Sequence, residues 1–379
     1  MSEDACSRKK DVRALVIYST IPHYRRGVFQ ALEGLPFFQF TFAASPENFG
    51  NIESASFDQF EQTIEIRNTW AGPLLWQRRV VSLILSRRYD VVIFSGDAHY
   101  MSTWAALIVA RLTRTPTALW TIGWHRRPKG ARDVLRRWFY RRADHLLLYG
   151  EHAKQIAKSE GFQESQLSVI RNSIENSSVR HSDDFQDLRI PHQYCIGAVI
   201  RLSENKGLDK LISTAASLRS EGLDVAVLLV GRGPMESSLR ALAERFSVPL
   251  YIPGAAYSRE RLADVYRHLD VTVVPRNVGL TAIQSLQHGT PVVSHNDPED
   301  QMPEWESIRQ GVTGSTVSPS SEGLVSAVRF WLLRDLSQRE RDQQNCLDEV
   351  AAHWNPEVQA RLIHQALETV LQRHSANDE

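Results

Sequence analysis

Cysteine is scarce in this chain: Cys6, Cys195 and Cys346 are the three in 379 residues. An odd, widely spaced set with no Cys-x-x-Cys excludes a disulfide framework, a zinc ribbon and a dithiol redox site, and it suits a reducing cytoplasm. Long apolar runs are missing as well. The best candidate is bracketed by Asp97 and Arg111 and falls short of the roughly 18 residues a membrane span needs, so no span is expected. Residues 1–20 put Glu3 and Asp4 ahead of the first bases and carry only a short apolar run, which does not read as a signal peptide. Net charge is absent too, with 44 Lys and Arg against 44 Asp and Glu. Without a recognised binding motif either, a nucleic-acid partner is not expected. No repeat of fixed period is visible.

What is present is ordinary globular material, 42% hydrophobic and 23% charged, in a length that suits two domains at about 100–200 residues each. The charge is unevenly spread. Between Arg67 and Arg142 stand 15 Lys and Arg against Asp90, Asp97 and Asp133, a net +12, together with six of the nine tryptophans. Basic side chains meet phosphates while indole rings sit at the headgroup level, so this region suits an anionic interface. The alternative is solvated arginines over core tryptophans. Within residues 126–142, Val134, Leu135, Trp138 and Phe139 are spaced as one apolar stripe flanked by Arg132, Arg136, Arg137, Arg141 and Arg142.

Short apolar, β-branched runs alternate with helical patterns along most of the chain. Strands are expected at residues 12–19, 38–43, 90–95, 117–122 and 145–149, and again at 194–200, 225–230, 249–252, 271–274, 291–294 and 314–317. Continuous apolar strands separated by helices indicate parallel sheets covered on both faces, hence two doubly wound α/β lobes. The pattern fails at residues 175–191, a polar stretch ending in a proline. The expected domains are therefore 1–178, a linker at 179–192, 193–353, and a C-terminal helical segment at 354–379 that packs back toward the first lobe. After residue 317 helices are expected at 322–333 and 356–372, with Asn355 and Pro356 as cap and first turn.

Ligands of doubly wound folds bind at the carboxyl ends of the strands, and three loops of the second lobe look specialised for this. Arg201-Leu202-Ser203-Glu204-Asn205-Lys206-Gly207 brings two cations to a helix start, a pyrophosphate pocket. Gly231-Arg232-Gly233-Pro234 permits close backbone approach, or simply a tight strand-to-helix turn. Pro275-Arg276-Asn277-Val278-Gly279-Leu280-Thr281 offers amides to a phosphate, and the helix it opens carries Gln284 on the cleft side.

These three loops, in this order and spacing, resemble the nucleotide-sugar domain of the GT-B glycosyltransferases, in particular the retaining family 4 enzymes of bacterial polysaccharide type. The resemblance is closest over residues 198–317. It implies two lobes facing a central cleft, with Arg201 and Lys206 on the donor diphosphate. Gly231, Gly233 and Gly254 would lie near the nucleotide base, and the amides of Gly279 and Leu280, beside Thr281, would meet the distal phosphate. Gln301-Met302-Pro303-Glu304 resembles the family's closing segment. One departure stands out: the family usually carries two glutamates eight positions apart, near the donor sugar and on the ribose, and here those positions are Arg276 and Gln284. Gln284 can still bond a diol. Arg276 accepts nothing, which leaves the sugar contact to Asn277 or another residue.

In the first lobe, Arg25 and Arg26 of Ile21-Pro22-His23-Tyr24-Arg25-Arg26-Gly27 are candidates for an acceptor or donor phosphate. His125, past the strand at 117–122, matches a histidine that the family often places near the donor sugar. Asp97 either binds an acceptor hydroxyl or caps the following helix. The function expected from the resemblance is a retaining, metal-independent hexosyltransferase-type glycosyltransferase of the cytoplasm, with His125, Arg201 and Lys206 at the reaction. It would take a nucleotide diphosphate sugar and a saccharide or lipid-linked saccharide acceptor at an anionic membrane. No cofactor and no metal are expected, since no Asp-x-Asp stands at a strand end. A nucleotide-sugar epimerase would use the same phosphate loops but needs paired acid and base groups, and a non-catalytic nucleotide-sugar binder would keep Arg201 and Lys206 without turnover.

Overall fold

The computed structural model describes residues 12–48, 50, 53–127, 130–174 and 188–378. Cys6 and most of the expected linker at 179–192 lie outside them. The chain divides into one unit of Met1–Arg171 with Pro356–Glu379 and a second of Asn172–Asn355.

In the first part of the chain the strands are β1 (Val12–Ile17), β2 (Phe38–Ala44), β3 (Thr63–Glu65), β4 (Asn68–Ala71), β5 (Leu74–Gln77), β6 (Val91–Ser95), β7 (Thr117–Thr121), β8 (His145–Leu148) and β9 (Leu167–Val169). The helices there are α1 (Arg26–Glu33), α2 (Val80–Leu85), α3 (Met101–Leu112), α4 (Ala131–Tyr140) and α5 (Glu151–Ser159). Seven strands form a parallel sheet in the order β3-β2-β1-β6-β7-β8-β9, while β4 and β5 make a separate antiparallel hairpin. Successive side chains of β1 enter different cores, Ala14 and Val16 on one face and Leu15 and Ile17 on the other. That is why the strand reads as an unbroken apolar run. Each such side chain contributes about 1.5–3 kcal/mol on burial.

The second unit holds β10 (Tyr194–Val199), β11 (Val225–Val230), β12 (Leu250–Tyr251), β13 (Val271–Val274), β14 (Val292–His295) and β15 (Gly314–Val317), ordered β12-β11-β10-β13-β14-β15 and all parallel. Its helices are α6 (Leu208–Ser220), α7 (Glu236–Arg245), α8 (Arg259–His268), α9 (Thr281–Gln287), α10 (Ser321–Leu332) and α11 (Leu336–His353). The last helix, α12 (Pro356–Asp378), buries Ala360, Ile363 and Leu367 in the core shared by β1 and α1.

Five elements carried no sequence signal. β3, β9 and the β4–β5 hairpin are three or four residues each, too short for periodicity. α11 is polar nearly all round, started by a capping box of Asp335 and Gln338, and it buries Asp342 and Glu349 against Arg334 and Arg309 at 3.2 Å each. A second expectation is corrected: Val134, Leu135, Trp138 and Phe139 do not form one stripe. Phe139 is fully buried, whereas the other three are exposed, Trp138 by 53%. α12 starts at Pro356 as expected, with Asn355 directly before it, and the Asn355 amide also donates to the carbonyls of Val350 and Ala351 in α11.

Candidate functional site

In an open parallel sheet the crevice opens where the strand order reverses. In the second unit that point lies between β10 and β13, and the loops leaving these two strands carry Arg201 to Gly207 and Pro275 to Leu280. The two loops are tied together. Lys206 Nζ donates to the Asn277 carbonyl at 2.7 Å, and Thr281 Oγ1 donates to the Val199 carbonyl at 3.2 Å. Gly207 turns the first loop at φ +66°, where a Cβ would stand 2.8 Å from Arg276 Cγ. A Cβ on Gly279 would lie 4.0 Å from Lys206 Nζ, so the ammonium sits directly beside the Gly279 turn.

Half-burial pushes the Lys206 ammonium below its usual range, and the carboxylate of Glu304 partly restores it. A partly desolvated cation gains more from a second anion than an exposed one does. Arg201 complements it: the side chain is exposed and pairs with no group among the described residues. The glycine loop closes the third side. A Cβ on Gly231 would fall 2.0 Å from the Ile200 carbonyl and one on Gly233 2.1 Å from that of Leu202, while the Gly231 amide donates to the Gly254 carbonyl at 2.8 Å. Gly231 and Gly233 therefore lie against the backbone that carries Arg201, and Gly254 is bonded to Gly231.

In the first unit the reversal lies between β1 and β6. Arg25 and Arg26 follow β1, and Asp97 follows β6. The Asp97 carboxylate accepts from the His99 amide at 2.9 Å and lies 2.8 Å from His99 Nδ1. It holds a local turn and does not cap α3, whose N-cap is Tyr100. His125 follows β7, and its imidazole is pushed down by burial, then by Arg136, Arg126 and His152; its Nδ1 is buried without a partner. No group of three His, Cys, Asp or Glu that could hold a metal occurs among the described residues.

Residues 193–334 match the family described as glycosyl transferases group 1, and residues 10–173 match the glycosyl transferase 4-like domain. Together these matches span well over half of the chain. The chain thus joins a glycosyl transferase 4-like domain to a glycosyl transferases group 1 domain, in the GT-B fold. A GDP-mannose-dependent alpha-(1-6)-phosphatidylinositol dimannoside mannosyltransferase of Mycobacterium tuberculosis is 29% identical over 145 residues, 37% of this chain and 36% of that protein. Curated relatives are matched over 35% to 58% of their own length. Among solved structures, the lipopolysaccharide outer core galactosyltransferase WaaB superposes with TM-score 0.69 at 11% identity, covering 94% of this chain and 99% of that one. A Listeria monocytogenes protein assigned as a UDP-N-acetylglucosamine 2-epimerase does so at 0.61 and 14%, covering 96% and 97%. The fold is thus common to transferases and epimerases.

Within this fold the unusual positions of the chain have local partners. Arg276 is held by Asp300 in a two-bonded fork, Nε at 3.0 Å and Nη2 at 3.2 Å. Gln284 accepts from the Tyr266 hydroxyl at 3.3 Å, and Asn277 turns its carbonyl to Lys206. Sequence reasoning assigned no role to Gln301, yet it is 2% exposed and its amide group staples the donor loop. Oε1 accepts from the Val278 amide at 3.0 Å, and Nε2 donates to Ser294 Oγ at 2.8 Å and to the His295 and Arg276 carbonyls at 3.0 and 3.3 Å. Glu304 of the same segment, given no role of its own by the sequence, is buried and bonded by Asn172 Nδ2 at 2.6 Å. A Gln-x-Pro-Glu following β14 was the available signal. A cavity of about 710 Å³ lined by Tyr266, His288, Trp331 and Gln343 lies elsewhere, beside the residues that precede β13 and β14.

Proposed function

We propose that the chain is a glycosyltransferase that moves a hexose from a nucleotide diphosphate sugar to an acceptor hydroxyl, with retention of configuration and without a metal. The observation that carries this reading is Lys206 held beside the Gly279 turn at the switch point of the second sheet. Departure of a nucleoside diphosphate builds negative charge, and fixed donors already aimed at that charge lower the barrier most. Lys206 and Arg201 supply two cations and the Gly279 and Leu280 amides supply dipoles. Gln284 would bond the ribose diol, with Asn277 toward the sugar. An epimerase would need an acid and base pair around the sugar, and Glu304 is one carboxylate engaged by Asn172.

Membrane contact is the finer part of the proposal. Trp70 and Trp76 of the hairpin, Ile108 and Leu112 of α3, and Leu135 and Trp138 of α4 are all exposed; Arg67 and Arg78 flank the hairpin, Arg111 stands near the end of α3, and α4 carries Arg132, Arg136 and Arg137. The rings of Trp104 and Trp138 join α3 to α4 at 5.4 Å. Apolar side chains with flanking cations suit an anionic lipid surface, and a lipid-linked acceptor would be met there. No described helix is long and apolar enough to cross a membrane. Diphosphate release from a panel of nucleotide sugars, with a crude lipid extract as acceptor and with or without EDTA, tests the proposal. Turnover that survives chelation with an α-linked product from an α-linked donor is expected. Complete loss on chelation, or product without an acceptor, contradicts it.

A further inference from the structure

Arg25 stands in the loop after β1, one of the two strands that flank the switch point of the first sheet. Its guanidinium carbon lies 5.1 Å from the ring centroid of Tyr149, 5.9 Å from that of Trp120 and 6.0 Å from that of Tyr18. Nη1 donates to the Tyr18 hydroxyl at 3.0 Å. Burial works against its charge, and Tyr149, Tyr18 and Tyr24 favour it, Tyr149 also as a hydrogen-bond partner, with no carboxylate among them. Its Nε is buried and has no acceptor. Two further donors at the carboxyl ends of the same sheet, Thr20 Oγ1 and Trp120 Nε1, are also buried without a partner.

A cation withdrawn from water is normally paired with an anion. Aromatic faces offset part of the cost, but they accept nothing in the plane of the guanidinium fork. Two other arginines of this unit, both more exposed, do meet carboxylates: Arg13 forks onto Asp90 through Nε and Nη2 at 3.2 and 3.1 Å, and Arg137 meets Glu160 at 2.7 Å. Arg25 keeps its Nε edge uncommitted inside a collar of three rings. Such an edge matches two oxygens of a phosphate or a carboxylate in a bidentate pair.

We propose that Arg25 is an oxyanion receptor that takes a phosphate or carboxylate group carried by the acceptor, within the collar of Tyr18, Trp120 and Tyr149. This rests on the transferase reading above and narrows it: the acceptor is an anionic or phosphorylated saccharide, and the reaction that supplies it is one that installs a phosphate or an acidic sugar. Recognition uses Arg25 Nε and Nη2, with Thr20 and Trp120 as neighbouring donors.

The test is nuclear magnetic resonance of the full chain labelled with ¹⁵N-arginine, the Arg25 Nε–H signal being assigned by its loss in Arg25→Lys. Inorganic phosphate and glucuronate should each move that signal saturably. They should do so equally in a variant carrying Arg201→Ala with Lys206→Ala, in which a nucleoside diphosphate should leave it unmoved. A signal that neither anion moves overturns the proposal, because the wild-type titration does not depend on any variant folding. A phosphate response that disappears in the double variant also overturns it, by assigning Arg25 to the donor. If the anions move Arg25 while no nucleoside diphosphate binds the wild type, the transferase reading fails and the oxyanion receptor stands.

Discussion

Lys206 and Asn277 are 71 residues apart in the chain, and the lysine ammonium donates to the asparagine carbonyl at 2.7 Å. One bond therefore joins the loops of the two strands that flank the switch point, and it points a half-buried cation at the Gly279 turn. The donor site depends on this juxtaposition and on what keeps the second loop in place.

Gln301 is that restraint. Gln301→Leu keeps approximate volume but leaves the Val278 amide and several acceptors without a partner. At about 1–3 kcal/mol for a buried polar group left unpaired, urea denaturation should show a loss of about 3 kcal/mol. Affinity for a nucleoside diphosphate should fall more than in a surface variant such as Gln344→Leu. A variant with unchanged stability and affinity would show that the loop holds its shape without the staple.

Gly233→Ala should be severe. The new Cβ would stand 2.1 Å from the Leu202 carbonyl and 2.6 Å from its carbon, backbone atoms that cannot step aside, so a loss of about 2–4 kcal/mol is expected. Gly34→Ala is the control, because its nearest neighbour would be 3.7 Å away. Thermal unfolding of the two variants side by side measures the contrast, and equal midpoints would contradict the close packing of the glycine loop.

His145 predicts an acid sensitivity. Burial, with Arg373 and Lys154 adding to it, pushes its imidazole down to about 4, so the unfolded chain takes up a proton near pH 6.5 that the folded chain refuses until about pH 4. The stability this neutral histidine permits is complete above that range and is lost as the pH falls through it. Between pH 7 and pH 5 the loss should be about 2 kcal/mol. Denaturation of His145→Gln at both values should show a smaller fall than wild type, and equal falls would mean that the buried imidazole does not refuse the proton.

Sedimentation with vesicles tests the membrane face. Binding should require anionic lipid, weaken with salt, and drop when Arg136, Arg137, Arg141 and Arg142 are changed together to Gln or when Trp138→Ala removes the exposed ring. Equal pelleting with neutral vesicles, or none with either kind, would favour a soluble acceptor.

The parallel sheets were legible because both faces of each are buried, so strands such as 225–230 read as unbroken apolar runs. The three donor loops were legible because glycine and cation spacing at strand ends is local. What was lost lay in tertiary context. α11 buries acids that pair with distant arginines, which no periodicity shows. Gln301 reads in the sequence as an ordinary solvent-facing amide until four partners from Arg276, Val278, Ser294 and His295 close around it. Arg25 and Arg26 were equal candidates for a phosphate in the sequence, and only the fold brings Tyr18, Trp120 and Tyr149 around Arg25. The spacing at Trp138 and Phe139 promised one face, but the sheet takes Phe139 and leaves Trp138 outside.

The central claim is that Arg201 and Lys206 hold the diphosphate of a nucleotide donor, and calorimetric titration with free nucleoside diphosphates tests it most directly. The wild type should bind one of them, and Arg201→Ala and Lys206→Ala should each weaken binding by roughly 10- to 100-fold, corresponding to about 1.5–3 kcal/mol per charge-assisted bond. The Lys206 contribution should also decline as the pH rises into the alkaline range, earlier than for an ordinary lysine, because burial favours its neutral form. Wild-type binding with unchanged affinity in both variants would contradict the account.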